Sequence, residues 1–273
     1  MSELKVTVLI DNIENNGLSG EWGLSLFIEY GGKRFLLDAG SDGAFALNAQ
    51  ILGIDLQTVD YAVLSHAHYD HADGFPAFFG LNSTAKLYLR AGTKENCYSK
   101  HEDVEKYIGI GRGMLNEYSS RIIYVDGDHP LFSGVFLIGH KGENNALKGK
   151  KAGMFRIDGS EVSYDDFSHE QSLVFKTSKG LVVFNSCSHA GAADIINEVT
   201  ETFPGEKVYA LIGGFHLFRS DEDEIAAFAE KLKNTRTEKI VTGHCTGDKA
   251  FEILKDALGE KVQQMFSGYV FEV

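Results

Sequence analysis

Ser65-His66-Ala67-His68-Tyr69-Asp70-His71-Ala72-Asp73-Gly74 is the stretch that decides how this chain is read. It continues an apolar run, Asp60-Tyr-Ala-Val-Leu-Ser65, with the composition of a buried strand. His66 and His68 are two apart, and on extended backbone such residues point the same way, so both imidazoles can meet one ion. Asp70 and His71 fall in the turn that follows, where a second ion could be held beside the first. Imidazole with carboxylate suits zinc, iron or manganese. The plain alternative is a solvated loop, or histidines that only cap a helix. Four candidate ligands within six residues, between a strand and a helix, weigh against it.

Working outward, Leu24–Tyr30 and Lys33–Asp38 are β-rich runs flanking Gly31-Gly32, a hairpin signal. Lys5–Ile10 reads as a buried strand, Asp11–Gly20 as a polar loop and Phe45–Leu52 as a short helix. Pro76 and Gly80 punctuate a helix after the histidine cluster, and Lys86–Arg90 is a strand. Residues 93–120 are polar and mixed and read as a partly helical excursion over the site. Lys141–Asp166 reads as a long surface loop, a common place for substrate contacts. Strands are expected at Arg121–Val125, Val135–Gly139, Ser172–Thr177 and Leu181–Asn185. The last third alternates: helices at Asp194–Thr202, Asp221–Asn234 and Lys249–Leu258, strands at Val208–Ile212, Lys239–Val241 and Val262–Phe266. An α+β protein follows, with two mixed sheets face to face and helices outside, which buries these runs on both faces. The 273 residues contain no Pro/Ser-rich linker and are expected to form one domain, 1–273.

Composition narrows the function. The chain is 43% hydrophobic and 24% charged, as ordinary globular proteins are. A net charge of −13 repels phosphate backbones, which makes nucleic acid an unfavoured partner. Met1-Ser-Glu-Leu-Lys-Val-Thr-Val-Leu-Ile10 is too interrupted by charge for a signal peptide, and no run reaches the roughly 18 residues that span a bilayer. Three cysteines, Cys97, Cys187 and Cys245, are not a disulfide framework and fit a reducing cytoplasm. The expected setting is therefore cytoplasmic, with no membrane and a small-molecule substrate; a homo-oligomer is compatible with the composition.

His66-x-His68-x-Asp70-His71 resembles the signature of the metallo-β-lactamase superfamily. The resemblance implies a four-layer αββα sandwich with the site at one edge of the two sheets. It implies that His66 and His68 bind one metal and that Asp70 and His71 bind a second. Phe35-Leu-Leu-Asp38-Ala-Gly40 is similar to the family's strand ending in an Asp that supports the metal loop from behind. The family also implies further ligands from the C-terminal half. Three segments there end an apolar strand with a polar cluster: Asn185-Ser-Cys187-Ser-His189, Gly213-Gly-Phe-His216 and Thr242-Gly-His244-Cys245. His244 matches the family's last His, and His189 is read as completing the first metal, with His169 in reserve. Cys187 falls close to where the family usually has a bridging Asp; it is either a ligand or a small buried residue. His216 is read as a substrate-side acid or a ligand, with a purely structural role equally open. His101, His129 and His140 have no supporting context and read as surface or loop residues.

Glu21-Trp22-Gly-Leu-Ser25, Asn185–Gly191, Gly213–Leu217 and His244–Gly247 resemble one branch of that superfamily, named for 7,8-dihydropterin-6-methyl-4-(β-D-ribofuranosyl)aminobenzene-5′-phosphate synthase. The branch often has His where this chain has Trp22, which places Glu21 and Trp22 on the substrate side. The function expected is a metal-dependent hydrolase holding two divalent ions, zinc first with iron or manganese as alternatives. It would act on a small ester or phosphodiester through a metal-activated hydroxide, with Asp70 and His216 as catalytic groups. A transferase of the synthase type and a non-catalytic metal-bound binding module are the alternatives.

Overall fold

The computed structural model describes residues 3–273. At its centre two seven-stranded sheets pack face to face. The first runs Val270–Glu272, Leu4–Ile10, Ser25–Tyr30, Lys33–Leu37, Tyr61–Val63, Lys86–Arg90, Ile122–Val125. The second runs Val262–Gln264, Lys239–Thr242, Val208–Ile212, Gly180–Phe184, Gln171–Thr177, Val135–Gly139, His129–Phe132. Each sheet is parallel over one half, from Lys33–Leu37 to Ile122–Val125 in the first and from Gly180–Phe184 to Val262–Gln264 in the second.

The alternation of side chains along these strands builds four layers. In Leu181-Val182-Val183-Phe184, Val182 and Phe184 enter the core between the sheets. Leu181 and Val183 point the other way, into a core shared with Ile195, Ile225 and Leu254. Those three lie on helices Ala192–Thr202, Glu222–Asn234 and Asp248–Leu258. In the first sheet Phe35 and Leu37 face inward, while Leu36 meets Phe45, Phe75 and Phe78 of helices Ala44–Ile51 and Phe75–Leu81. Each fully buried Phe or Leu contributes about 1.5–3 kcal/mol. The helix–sheet–sheet–helix order is the one anticipated from the sequence. Among the described residues no helix is long and apolar enough to cross a membrane.

Two stretches differ from the sequence reading. Residues 93–120, read as a partly helical excursion, do hold one helical turn, Met114–Glu117, but first supply an unforeseen hairpin, Cys97–His101 and Val104–Tyr107. Lys141–Asp166 is not a loop: it supplies helix Asn145–Lys151 and strands Met154–Asp158 and Glu161–Tyr164. Met154–Asp158 pairs with Cys97–His101, joining the two hairpins into a third, four-stranded antiparallel sheet. Its strands are short, and Val104–Tyr107 and Glu161–Tyr164 bury almost nothing. A local hydrophobic pattern cannot announce strands whose partners lie far along the chain, because β preference is set by the neighbours a strand finds.

Candidate metal centre

The candidate ligands follow the carboxyl ends of parallel strands, where both sheets open at the same edge. Tyr61–Val63 leads into His66, His68, Asp70 and His71; Gly180–Phe184 into Cys187 and His189; Val208–Ile212 into His216; Lys239–Thr242 into His244. Asp38, Ser188, His216 and His244 all turn there with positive φ, between 47° and 59°. Non-glycine residues rarely adopt that backbone, and such strain gathers at functional sites.

Asp38 is wholly buried and holds the histidine loop. One carboxylate oxygen accepts the Ser65 amide N–H at 2.7 Å. The other accepts the Ser65 hydroxyl at 2.7 Å and His71 Nδ1–H at 2.8 Å. With its own hydrogen given to Asp38, the Ser65 hydroxyl accepts from His66 Nδ1 at 2.8 Å. Both imidazoles are thereby fixed with Nδ1 protonated and Nε2 presenting a lone pair. On the far side Asn12 Oδ1 takes His244 Nδ1–H at 3.0 Å, and Asp11 accepts the His244 amide N–H at 2.9 Å. His244 Nε2 is left as a lone-pair donor too.

These atoms converge in two groups. Nε2 of His66, His68 and His189 is buried and has no hydrogen-bond partner, and one ring nitrogen from each of the three lies within 4.8 Å of the others. Beside them His71 Nε2 and His244 Nε2 face each other at 3.2 Å, with Asp70 Oδ2 at 3.7 and 3.5 Å. Lone pairs aimed at one another in a buried site repel unless a cation lies among them. Burial, reinforced by the neighbouring imidazoles, holds His66 and His189 well below the ordinary histidine range. Burial and His169 bring His68 down to about 3. Burial pushes Asp70 up, but His71, His244 and His68 outweigh it and hold the carboxylate ionised. Burial pulls His244 down, and Cys245, Asp70 and Asp11 outweigh that, raising it to about 9. His66, His68 and His189 are thus neutral and Asp70 ionised, while His244 would release its proton as a cation binds, so this donor set fits the metal that the histidine motif implies.

The other expected residues are placed as follows. Cys187 lies between the two groups, its Sγ 3.2 Å from His71 Nε2. Buried His169 accepts the Ala67 N–H on Nδ1 at 3.1 Å and meets Asp165 through Nε2 at 3.0 Å. Nδ1 thus holds the histidine loop, while Nε2 also lies 3.6 Å from Cys97 Sγ, and His68, Cys97, Asp165 and His169 form a further buried group of potential donors within 4.8 Å of one another. His216 lines the cavity over the site, with Nδ1 buried and unpartnered and its ring 4.5 Å from that of His189. Trp22 is 40% exposed at the cavity wall, its ring 5.0 Å from Phe218 and 5.3 Å from His244. Glu21 stands behind that wall and accepts the Ser41 N–H at 2.8 Å; burial, with Asp42 adding to it, raises its carboxyl to about 7.

Sequence reasoning missed several groups. Glu170 is buried and takes the amide N–H groups of His189 and Ala190, each at 2.8 Å, fixing the His189 turn. Asp11 ends an apolar strand just as Asp38 does, a parallel that could have flagged it. His140, expected at the surface, is buried: Nδ1 meets Glu198 at 2.9 Å and Nε2 meets Asn185 at 3.1 Å. Asn185 in turn accepts the Ser188 N–H at 2.6 Å, so His140 braces the turn that carries Cys187 and His189. His101, also expected to lack context, lines the cavity with Lys106 and Arg219. The cavity holds about 320 Å³ and opens between the site and the third sheet, which contributes Ser99, His101, Lys106 and Met154.

Comparison with known proteins points the same way. Residues 23–147 match the profile of the metallo-β-lactamase superfamily. A crystal structure described as a metal-dependent hydrolase of the β-lactamase superfamily superposes with a TM-score of 0.85 at 31% identity, covering 99% of both chains. The 7,8-dihydropterin-6-methyl-4-(β-D-ribofuranosyl)-aminobenzene-5′-phosphate synthase of Methanocaldococcus jannaschii is 29% identical over 94% of this chain and 92% of its own. The metallo-β-lactamase fold protein YhfI of Bacillus subtilis, at 14% identity and a TM-score of 0.63 over 99% of both chains, shares the fold.

Proposed function

Because the chain belongs to the metallo-β-lactamase superfamily, we propose that it is a hydrolase using two divalent cations, zinc first, on a small anionic ester or phosphodiester. The observation that carries the reading is the pair of adjacent lone-pair clusters, His66, His68 and His189 on one side and Asp70, His71 and His244 on the other. When bound there, divalent cations acidify a water and draw charge from a phosphoryl or carbonyl oxygen.

The remaining work falls to side chains. Asp70 stays ionised between His71 and His244, placed to orient the attacking water and take its proton. His216 lines the cavity and is the side chain we assign to protonating a leaving-group oxygen. Lys106, Arg219 and His101 ring the cavity with positive or protonatable groups although the chain carries −13 overall. They favour an anion such as a phosphate. Trp22 and Phe218 offer flat apolar faces to the rest of the molecule. At about 320 Å³ the cavity lies at the small end of the about 300–1,000 Å³ typical of small-molecule sites.

A second reading, a synthase joining a dihydropterin to a phosphorylated ribofuranosylaminobenzene, is favoured by the full-length similarity to the archaeal enzyme of that name. The same basic and aromatic walls would serve it.

Elemental analysis combined with turnover of bis(p-nitrophenyl) phosphate separates these. About two metals per chain, with hydrolysis lost in Asp70→Ala, supports the hydrolase. No hydrolysis at full metal loading, with product forming only when a dihydropterin is supplied, moves the assignment to the synthase. A metal content of about one or less, with neither activity, sinks both.

A further inference from the structure

We propose that the thiolate of Cys187 is the ligand shared by the two cations. The centre is then a thiolate-bridged pair selective for thiophilic metals. The inference rests on the two-cation reading above and adds the identity of the bridge.

The position of the sulfur carries it. Cys187 Sγ groups with His66 and His71, with His189 and His216, and with His244 and Cys245, the donor atoms in each set lying within 4.8 Å of one another. It therefore lies within 4.8 Å of donor atoms from both lone-pair clusters, and 3.2 Å from His71 Nε2. Asp70, the carboxylate of the site, faces the His71 and His244 side, so the place between the clusters is taken by sulfur.

The surroundings are shaped for that sulfur. Cys187 is 3% exposed, and its turn is pinned by Asn185 and Glu170. Cys245 Sγ lies 3.3 Å away, and both thiols are free. Cys245 is steadied by the His216 amide, which donates to its sulfur at 3.2 Å. Room for this second sulfur comes from Gly214, where a Cβ would meet Cys245 Sγ at 2.5 Å.

The chemistry balances without a further reactant. As the cations bind, the Cys187 S–H bond breaks, metal–sulfur bonds form and the proton leaves to solvent. Sulfur in place of oxygen favours zinc, iron or cobalt over manganese or magnesium.

Cobalt(II) tests this on the full chain, stripped with a chelator under reducing conditions and reloaded. The wild type should take two cobalt ions and show a sulfur-to-cobalt charge-transfer band. The band should grow with the first equivalent and again with the second, because one sulfur serves both ions. Cys187→Ser should lose the band and bind the second ion about tenfold more weakly or worse, as losing a ligand must cost at least what losing its support does. Cys187→Asp should hold two ions without the band and shift preference toward manganese. Cys245→Ser should keep the band.

A wild type holding two cobalt ions without a band overturns the proposal even if no variant folds. So does a band that survives in Cys187→Ser, disappears in Cys245→Ser, or grows with only one equivalent. Two-step growth without turnover removes the hydrolase reading and leaves the bridge. Turnover without a band does the reverse.

Discussion

Replacing Asp38 by Asn should weaken metal binding about 10–100-fold while leaving the fold in place. The carboxylate accepts three hydrogens, from the Ser65 amide, the Ser65 hydroxyl and His71 Nδ1, at 2.7, 2.7 and 2.8 Å. An amide side chain cannot accept all three. If its oxygen stays on the Ser65 amide, its NH2 faces His71 Nδ1, and the imidazole must carry its proton on Nε2 instead. That proton points at His244 Nε2, 3.2 Å away, and closes the space a cation needs. If the amide flips, the Ser65 N–H is left against an NH2 in a buried site. Either arrangement strands one buried group, worth about 1–3 kcal/mol. The corresponding loss in metal affinity, about 10–100-fold, is also what removal of a supporting partner behind a ligand costs. Asn tolerates the positive φ of 59° at this position, so the backbone adds little strain. The assay is competition with a chromophoric chelator, alongside urea unfolding of the metal-free protein. A folded Asp38→Asn protein that binds two cations with wild-type affinity would refute the tautomer argument.

Glu170→Gln replaces a carboxylate holding two backbone N–H groups by an amide that can hold one. Metal-free stability should fall by about 1.5–3 kcal/mol in urea, and an unchanged midpoint would show that the His189 turn needs no such anchor. Glu21 has its carboxyl raised to about 7, chiefly by burial, from about 4.3 when unfolded. Its folded form therefore prefers the proton, and the stability this contributes is full below about pH 4.3 and lost as pH rises to about 7. Glu21→Gln should gain on the wild type through that window and run parallel above it; a constant difference from pH 4 to 8 would refute the shift.

The parts of the site that lay open in the sequence are those carried by short contiguous patterns. His66, His68, Asp70 and His71 sit within one turn, and Asp38 closes an apolar run, so spacing alone suggests their grouping. His189 and His244 follow strands in the same manner. What stayed hidden is what holds these residues from a distance. Asn12 reaches His244 across 232 positions and His169 reaches Ala67 across 102, and neither pairing leaves a local trace. His140 looked idle because a single histidine beside a charged loop reads as exposed. Its burial comes from Glu198, Ser172 and Asn185 on three other elements.

The third sheet is the largest of these hidden features, and it changes what the cavity can accept. Without it the candidate metal centre would lie open at the edge of the two main sheets, facing solvent. With it, Ser99, His101, Lys106 and Met154 line a cavity over the site together with Arg219 and Phe218. The isolated bridge from His68 to Gly109 and the hydrogen bond from the Tyr69 amide to Ile108 O stitch that lining to the histidine loop itself. The lining and the ligands therefore keep a common position. A polyanion would have to lay its flanking phosphates along a chain of net charge −13, where each is repelled. The small anion proposed here would meet Lys106, Arg219 and His101 in the cavity that also holds His68, Asp70 and His189. The proposed small anionic substrate rests on this contrast between an acidic chain and basic cavity residues, two of which, His101 and Lys106, belong to a stretch whose sheet pairing the sequence did not announce.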